Sequence, residues 1–239
     1  MNSISGLYSI RASFFPVYSF VLVDGKDVVL IDSGFWGSMG KIEALLALMD
    51  FDWTNVRALI LTHGHIDHTA NARKIVNQSE CKVYSHRLEN SHIQGAYHYP
   101  KANRWCDRLE SLGRRMAKYV PVTPDIYMQD GDILPFWGGL RVVHLPGHTN
   151  GHCGFYSRKN DLLFCGDLLT NFIRPRVSPE FLCTAPWFLR DSFDKVAELN
   201  PCGMLCSHSY STNPLVNRKA FDHLYARIQQ GKIKLPRNI

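Results

Sequence analysis

The sequence predicts an α/β fold in which two sheets pack together with helices on the outside. Two observations predict it. Apolar strand-like runs lead into a helical run, and this succession occurs twice along the chain, as layered sheet proteins require. In addition, four short polar islands each follow directly on an apolar run, the arrangement of loops that hang functional side chains from the ends of strands. With 239 residues, 45% of them apolar and 20% charged, the chain can bury one substantial core, and a single domain over 1–239 is expected.

The elements follow in order. Residues 17–23 and 28–32 read as strands, and Asp24-Gly25 between them is a strong hairpin signal. Residues 40–49 carry Ile42, Leu45, Leu46 and Met49 at helical spacing. Residues 57–61 form a buried strand, 69–78 a helix and 81–85 a short strand. The stretch 86–124 differs: it is rich in His, Tyr, Arg and Asn and holds a helix at 104–119. The stripe Trp105, Leu109, Leu112 and Met116 on that helix reads as core packing, and the stretch as a helical lid insertion. Its basic residues Arg104, Arg108, Arg114, Arg115 and Lys118 read as a solvated face. Strands follow near 126–128, 132–136, 140–145, 152–157 and 161–165. Pro186 opens a helix at 187–199, a strand runs over 203–206, and 214–230 is the last helix. Loops 34–38, 86–124 and 170–187 are expected to form a substrate pocket. Phe35, Trp36, Trp187 and Phe188 lie in or beside these loops, and core packing is their plainer reading.

Composition excludes several classes. No run of about 18 apolar residues exists, so no membrane span is expected. Met1 to Arg11 shows no basic patch followed by an apolar stretch, so no signal peptide is expected. Seven cysteines without regular spacing, Cys202 and Cys206 being the closest pair, read as reduced thiols of a cytoplasmic protein. The net charge of +6 favours anionic partners, yet no basic stripe with interleaved aromatics marks a nucleic-acid binder.

The chemistry is concentrated at 61–68, Leu-Thr-His-Gly-His-Ile-Asp-His. By chance, the pattern H-x-H-x-D-H would occur in roughly one such sequence in a thousand. Imidazole and carboxylate bind divalent metals, and residues i and i+2 of an extended segment point the same way, so His63 and His65 can share an ion. Asp67 and His68 lie where the chain turns into a helix and can face a second ion. The other islands hold His148 in Leu-Pro-Gly-His-Thr, Asp167 in Phe-Cys-Gly-Asp and His208 in Leu-Cys-Ser-His-Ser. Of the remaining histidines, His144 reads as packed, His152 as a structural residue or a support to the site, and His86, His92 and His98 as surface residues.

Taken together and in this order, the motifs resemble those of the metallo-β-lactamase superfamily: Thr-His-x-His-x-Asp-His at 62–68, Pro-Gly-His-Thr at 146–149, Gly-Asp at 166–167, His208, and the early Leu-Ile-Asp-Ser-Gly at 30–34. The resemblance covers essentially the whole chain. It implies a four-layer αββα sandwich with two divalent metal ions at one edge of the paired sheets. Zinc is the first expectation, with iron or manganese as other occupants. His63, His65 and His148 would hold the first ion, Asp67, His68 and His208 the second, and Asp167 would bridge both. Asp32 would orient one of the ligand imidazoles.

The resemblance further implies a dinuclear metallohydrolase, in which a metal-bridging hydroxide attacks the carbonyl of a small ester, thioester or lactone. Asp67 and Asp167 are the catalytic carboxylates. The ions outweigh the charge of these groups, which favours an anionic small-molecule substrate. Retention of Asp167 is similar to the glyoxalase II and lactonase branches. Thr170 stands where lactonases of the family place a tyrosine, with Tyr210 the nearest substitute, and Arg218 and Lys219 are the candidate basic residues near the C-terminus. Two other readings stay open: a phosphodiesterase or nuclease, because paired ions clamp a phosphodiester, and a mononuclear iron oxidoreductase of the persulfide dioxygenase type. The flavin-linked diiron branch is excluded, since it carries Glu where His65 stands.

Overall fold

In chain order the first strand is β1 (Leu7–Arg11), which the periodicity did not reveal. It pairs antiparallel with β2 (Tyr18–Asp24), and Gly25 (φ +61°) turns the chain into β3 (Asp27–Ile31) as the hairpin signal predicts. The computed structural model describes residues 4–14, 16–97, 99 and 104–236. It divides into two units, Met1–Met128 with Phe136–Gly138, and Gln129–Pro135 with Gly139–Ile239.

The first unit continues through α1 (Ser38–Leu48), β4 (Val56–Ile60), α2 (Ile66–Thr69), α3 (Ala72–Ser79), β5 (Lys82–His86), α4 (Asn90–Ile93), α5 (Arg104–Met116) and β6 (Ile126–Met128). Its six strands lie in the order β1-β2-β3-β4-β5-β6, antiparallel up to β3 and parallel from β3 onward. Val21, Leu30, Leu59 and Val83 from the strands pack with Ile42 and Leu46 of α1 and Ile75 of α3. Burial of each such side chain contributes about 1.5–3 kcal/mol. β4 is central, with β3 and β5 on either side, so its C-terminal end is among the best-fixed points of the sheet.

The expected 69–78 helix is divided into α2 and α3. Asn71 sits at the junction (φ −101°, ψ 1°), where its side-chain amide donates to the carbonyls of Ser33 and Phe35 at 3.1 and 3.0 Å. That tertiary contact overrides the helical periodicity.

α5 forms where expected but faces the other way. Trp105, Leu109, Leu112 and Met116 are 46%, 55%, 53% and 58% exposed, so the stripe is not core. Arg108, Arg115 and Lys118 are exposed as expected, whereas Arg114 is turned inward against Glu110. On the polar side Asp107 accepts from the Tyr99 amide at 2.8 Å and Arg114 donates to the His92 carbonyl at 2.6 Å, and these contacts outweigh the apolar stripe.

The second unit comprises β7 (Ile133–Leu134), β8 (Leu140–His144), β9 (Cys153–Ser157), β10 (Leu162–Gly166), β11 (Leu169–Asn171), β12 (Pro175–Val177), α6 (Leu189–Leu199), β13 (Gly203–Cys206) and α7 (Pro214–Gln229). Five strands lie in the order β13-β10-β9-β8-β7, with only β10 and β13 parallel. β11 and β12 form a separate, unanticipated hairpin. Val143, Leu163 and Met204 pack with Phe193 and Val196 of α6 and with Phe221 and Leu224 of α7. Of the four aromatics read as core, Phe35 is buried and Trp36 half-buried, but Trp187 and Phe188 are exposed. No helix among the described residues is long and apolar enough to cross a membrane.

Candidate metal centre

The run 63–68 emerges from the end of β4. His65 is extended (φ −65°, ψ 153°) and caps α2, its carbonyl accepting from both the Thr69 amide and the Thr69 hydroxyl. This bend places Asp67 and His68 in the single turn of α2. His63 and His68 are fully buried, His65 nearly so, and the Asp67 side chain is 18% exposed. The ring centroid of His63 lies 4.8 Å from that of His65 and 4.1 Å from that of His68. Donor atoms of His63 and His65 come within 4.8 Å of each other, as do those of His63 and His68 and of Asp67 and His68.

One carboxylate settles the protonation of two of these imidazoles. Asp32 follows β3 in the left-handed region (φ +61°), a costly conformation for a residue other than glycine. Its Oδ1 accepts from the Thr62 amide at 2.8 Å. Its Oδ2 accepts from the Thr62 hydroxyl and from His68 Nδ1, each at 2.8 Å. Having given its one hydrogen to Asp32, Thr62 Oγ1 can only accept from His63 Nδ1, at 3.0 Å. Both rings therefore carry a hydrogen on Nδ1.

The segment after β5 lies against the same loop. Glu89, fully buried, accepts from the Gly64 amide at 2.7 Å. A Cβ on Gly64 would come within 2.5 Å of His92 Cβ and 3.1 Å of the Glu89 carbonyl, so only glycine permits this approach. His92 is not a surface residue: it is 1% exposed, stacked on Tyr97 with centroids 3.9 Å apart and set edge-on to His65 at 5.2 Å. His86 is half-buried and accepts from the Leu88 amide; His98 lies outside the described residues. Tyr99, 5% exposed, contacts His65 Nε2 through its hydroxyl at 2.8 Å. Burial, reinforced by the Glu110 charge, holds the Tyr99 phenol well above its ordinary range. Burial also raises Glu110, opposed by Arg114 at 2.6 Å.

In the second unit three loops bring His148, Asp167 and His208 together. Gly147 precedes His148 with φ +145°, and a Cβ there would meet the Leu189 side chain at 2.6 Å, so the loop lies flush on the start of α6. Asp167 follows the irregular end of β10, and His208 follows the parallel neighbour β13. Asp167 Oδ2 lies 3.1 Å from His208 Nε2 and 3.5 Å from His148 Nε2, so a single oxygen serves both imidazoles.

Mainly main-chain contacts hold this set. The Asp167 amide donates to His152 Nε2 at 2.9 Å, leaving His152 Nδ1–H to donate to the Leu145 carbonyl at 3.1 Å. The Ser178 hydroxyl donates to the Asp167 carbonyl. His148 Nδ1 faces Cys183 Sγ at 3.9 Å, and burial followed by the Asp167 charge pushes that thiol up to about 12, so it stays protonated. Tyr210 is 62% exposed, and Thr170 is half-buried.

Sequence reasoning thus missed Glu89, Tyr99, Glu110, Ser178 and Cys183, and placed His92 wrongly. None of them stands in a motif. For Glu89, His92 and Tyr99 the available signal was the concentration of His and Tyr between 86 and 99; for Glu110, Ser178 and Cys183 there was none.

The model of the metallo-beta-lactamase superfamily matches residues 12–215. The chain is 32% identical over 155 residues to a protein named probable metallo-hydrolase YybB of Bacillus subtilis (strain 168), covering 64% of this chain and 62% of that one. It is 27% identical over 158 residues to the hydroxyacylglutathione hydrolase GloC of Haemophilus influenzae, covering 63% of this chain and 65% of the relative. The matches thus span less than two thirds of the length of these two relatives. Among solved structures, the metallo-beta-lactamase family protein TTHA1429 from Thermus thermophilus superposes with a TM-score of 0.75 at 24% identity, over 95% of this chain and 80% of that one.

Proposed function

The chain belongs to the metallo-beta-lactamase superfamily and has its α/β fold, and from that premise we propose that it is a metal-dependent hydrolase opening the carbonyl of a small ester, thioester or lactone. The observation that carries this reading is the Asp167 carboxylate, with one oxygen against the Nε2 atoms of both His148 and His208. Converging imidazoles with a carboxylate oxygen between them repay their burial when a cation joins them.

The residues fit such a group. Five of the seven candidates are imidazoles and two are carboxylates, a donor set suited to borderline divalent ions such as zinc. The outer nitrogens of His63 and His68 are committed to Thr62 and Asp32, the arrangement that orients and strengthens metal-binding imidazoles. His63, His65 and His148 would hold one ion, Asp67, His68 and His208 a second, with Asp167 shared. Bound divalent ions supply Lewis acidity and bring the pKa of water toward about 7.

The chain's own residues do the rest. Asp67, partly exposed in the turn of α2, is positioned to carry a proton to the departing alkoxide or thiolate. Asp32 keeps His63 and His68 from rotating. The similarity to a hydroxyacylglutathione hydrolase supports a thioester among the three substrate types.

The test combines metal analysis with a substrate panel. Protein purified without added metal is expected to carry about two zinc-like ions per chain and to cleave thioesters, lactones or aryl esters. Cleavage of bis(p-nitrophenyl) phosphate alone would replace this reading with a phosphodiesterase. A single iron with oxygen uptake on glutathione persulfide would replace it with an oxidoreductase.

A further inference from the structure

We propose that the outward face of α5 docks this protein on a membrane surface that carries anionic lipids. The inference does not rest on the metal reading above.

The stripe Trp105, Leu109, Leu112 and Met116 is exposed along the length of α5, and Val120 continues the exposed apolar run past its end. A helix of 13 residues is about 20 Å long. The stripe is therefore a contiguous strip, unlike the scattered exposed apolar residues of an ordinary surface. Its outward setting is fixed by the opposite side of the helix. There Asp107 accepts from the Tyr99 amide, and Arg114 donates to the His92 carbonyl and to Glu110. Arg114 also lies over the Tyr119 ring, 4.5 Å from its centroid. Turning the strip inward would cost all of these contacts.

The exposed charges of this face have one sign. Arg108, Arg115 and Lys118 are exposed, whereas no acidic side chain is exposed between 105 and 120. Among the described residues none of the three cations forms an ion pair. Arg108 and Arg115 stand seven positions apart, two turns along one flank of the strip. Both line an open cavity of about 580 Å³ together with Ser111 and Leu112. Its two carboxylates, Asp107 and Glu110, are engaged with the Tyr99 amide and with Arg114. The guanidinium groups of Arg108 and Arg115 are thus available to phosphate or carboxylate oxygens.

A row of Trp, Leu and Met flanked by cations suits a helix that lies in the headgroup region. The apolar side chains enter the acyl boundary, and the arginine and lysine stems reach back to the lipid phosphates. The net charge of +6 draws the rest of the chain to the same surface. A second copy is disfavoured as the occupant, because it would bring the same cations and the same net charge. A protein partner would need a groove shaped to this convex strip, whereas a fluid lipid surface needs no matched shape.

The test is flotation of the full chain with vesicles of phosphatidylcholine alone and of phosphatidylcholine mixed with phosphatidylserine, at low and high salt. Binding to the mixed vesicles is expected to be at least about 10-fold tighter than to the neutral ones, and to weaken as salt shortens the screening length. Leu109→Ser/Leu112→Ser keeps every charge and is expected to lower binding at least about 10-fold. Arg108→Gln/Arg115→Gln is expected to lower it about 25-fold, at about fivefold for each cation. All four side chains are exposed, so circular dichroism should not change. Brominated lipid is expected to quench tryptophan fluorescence in the unaltered protein and to quench less in Trp105→Phe, a readout that stands even if a double variant misfolds.

Equal vesicle binding by the unaltered protein and a folded Leu109→Ser/Leu112→Ser would reduce the effect to adsorption by net charge and overturn the proposal. Failure to bind either vesicle overturns it as well. Self-association seen by light scattering, abolished in Leu109→Ser/Leu112→Ser and unaccompanied by vesicle binding, would give this face to a second copy instead.

Discussion

The two units hold their histidines by different means. In the first, each ring of the 63–68 run meets a side-chain oxygen through its outer nitrogen: Thr62 for His63, Tyr99 for His65 and Asp32 for His68. Asp32, which is buried, also takes the hydrogen of Thr62. In the second unit His148 meets a neutral thiol, Asp167 is tied through its own backbone, and His152 serves the main chain on both of its nitrogens. The first set is thus oriented by proton placement, and the second by where strand ends lie. Changes behind the first set should alter affinity while the backbone stays in place. Changes behind the second should matter less, except at the carboxylate itself.

Asp167 is the sharpest test of that contrast. Asp167→Ala is expected to lose one or both ions by elemental analysis and at least about 10³-fold in kcat/KM. Full metal content with full activity would show that this oxygen joins nothing. Asp32→Asn comes next. Asparagine tolerates the left-handed conformation, but it has one accepting oxygen and cannot take the Thr62 amide on one atom and the Thr62 hydroxyl with His68 on the other. Zinc affinity is expected to fall about 10- to 100-fold with little change in circular dichroism. An equal loss of fold would mean that Asp32 acts on the backbone, and the contrast between the units would dissolve.

Cys183→Ser should change zinc affinity by less than about 5-fold, since one neutral hydrogen bond is worth about 1 kcal/mol. A loss as large as that of Asp32→Asn would place a proton-setting group in the second unit as well. The smallest effect is expected at His144, whose pKa burial lowers from 6.5. The unfolded chain takes up this proton first as pH falls. Its contribution to stability is therefore present above about pH 6.5 and lost as pH drops through the folded value. Urea midpoints of the unaltered protein and of His144→Gln should diverge at neutral pH and converge on acidification.

The hairpin at Asp24-Gly25, the helix at 40–49, the strand before the histidines and the strand at 140–145 were all readable, because period and turn chemistry act over a few residues. The candidate donors were legible for a related reason: three of the islands carry theirs within four positions of a strand end. The division between α2 and α3 was not, because Asn71 answers to carbonyls 36 and 38 positions away. Nor was the facing of α5. Its periodicity marks an apolar side, but no local rule says that a polar side with buried partners in Tyr99 and His92 will take the inner position.

By itself the sequence determined most of the strands and helices and which side chains are of a type that can donate to a metal, since both depend on residue type and short spacing. Only the tertiary structure decided where two of the hydrogens lie: on Nδ1 of His63 and His68, through Thr62 and Asp32. A ring nitrogen is made donor or acceptor by the group it meets across space, and for His65 and His68 that group stands more than thirty residues away in the chain.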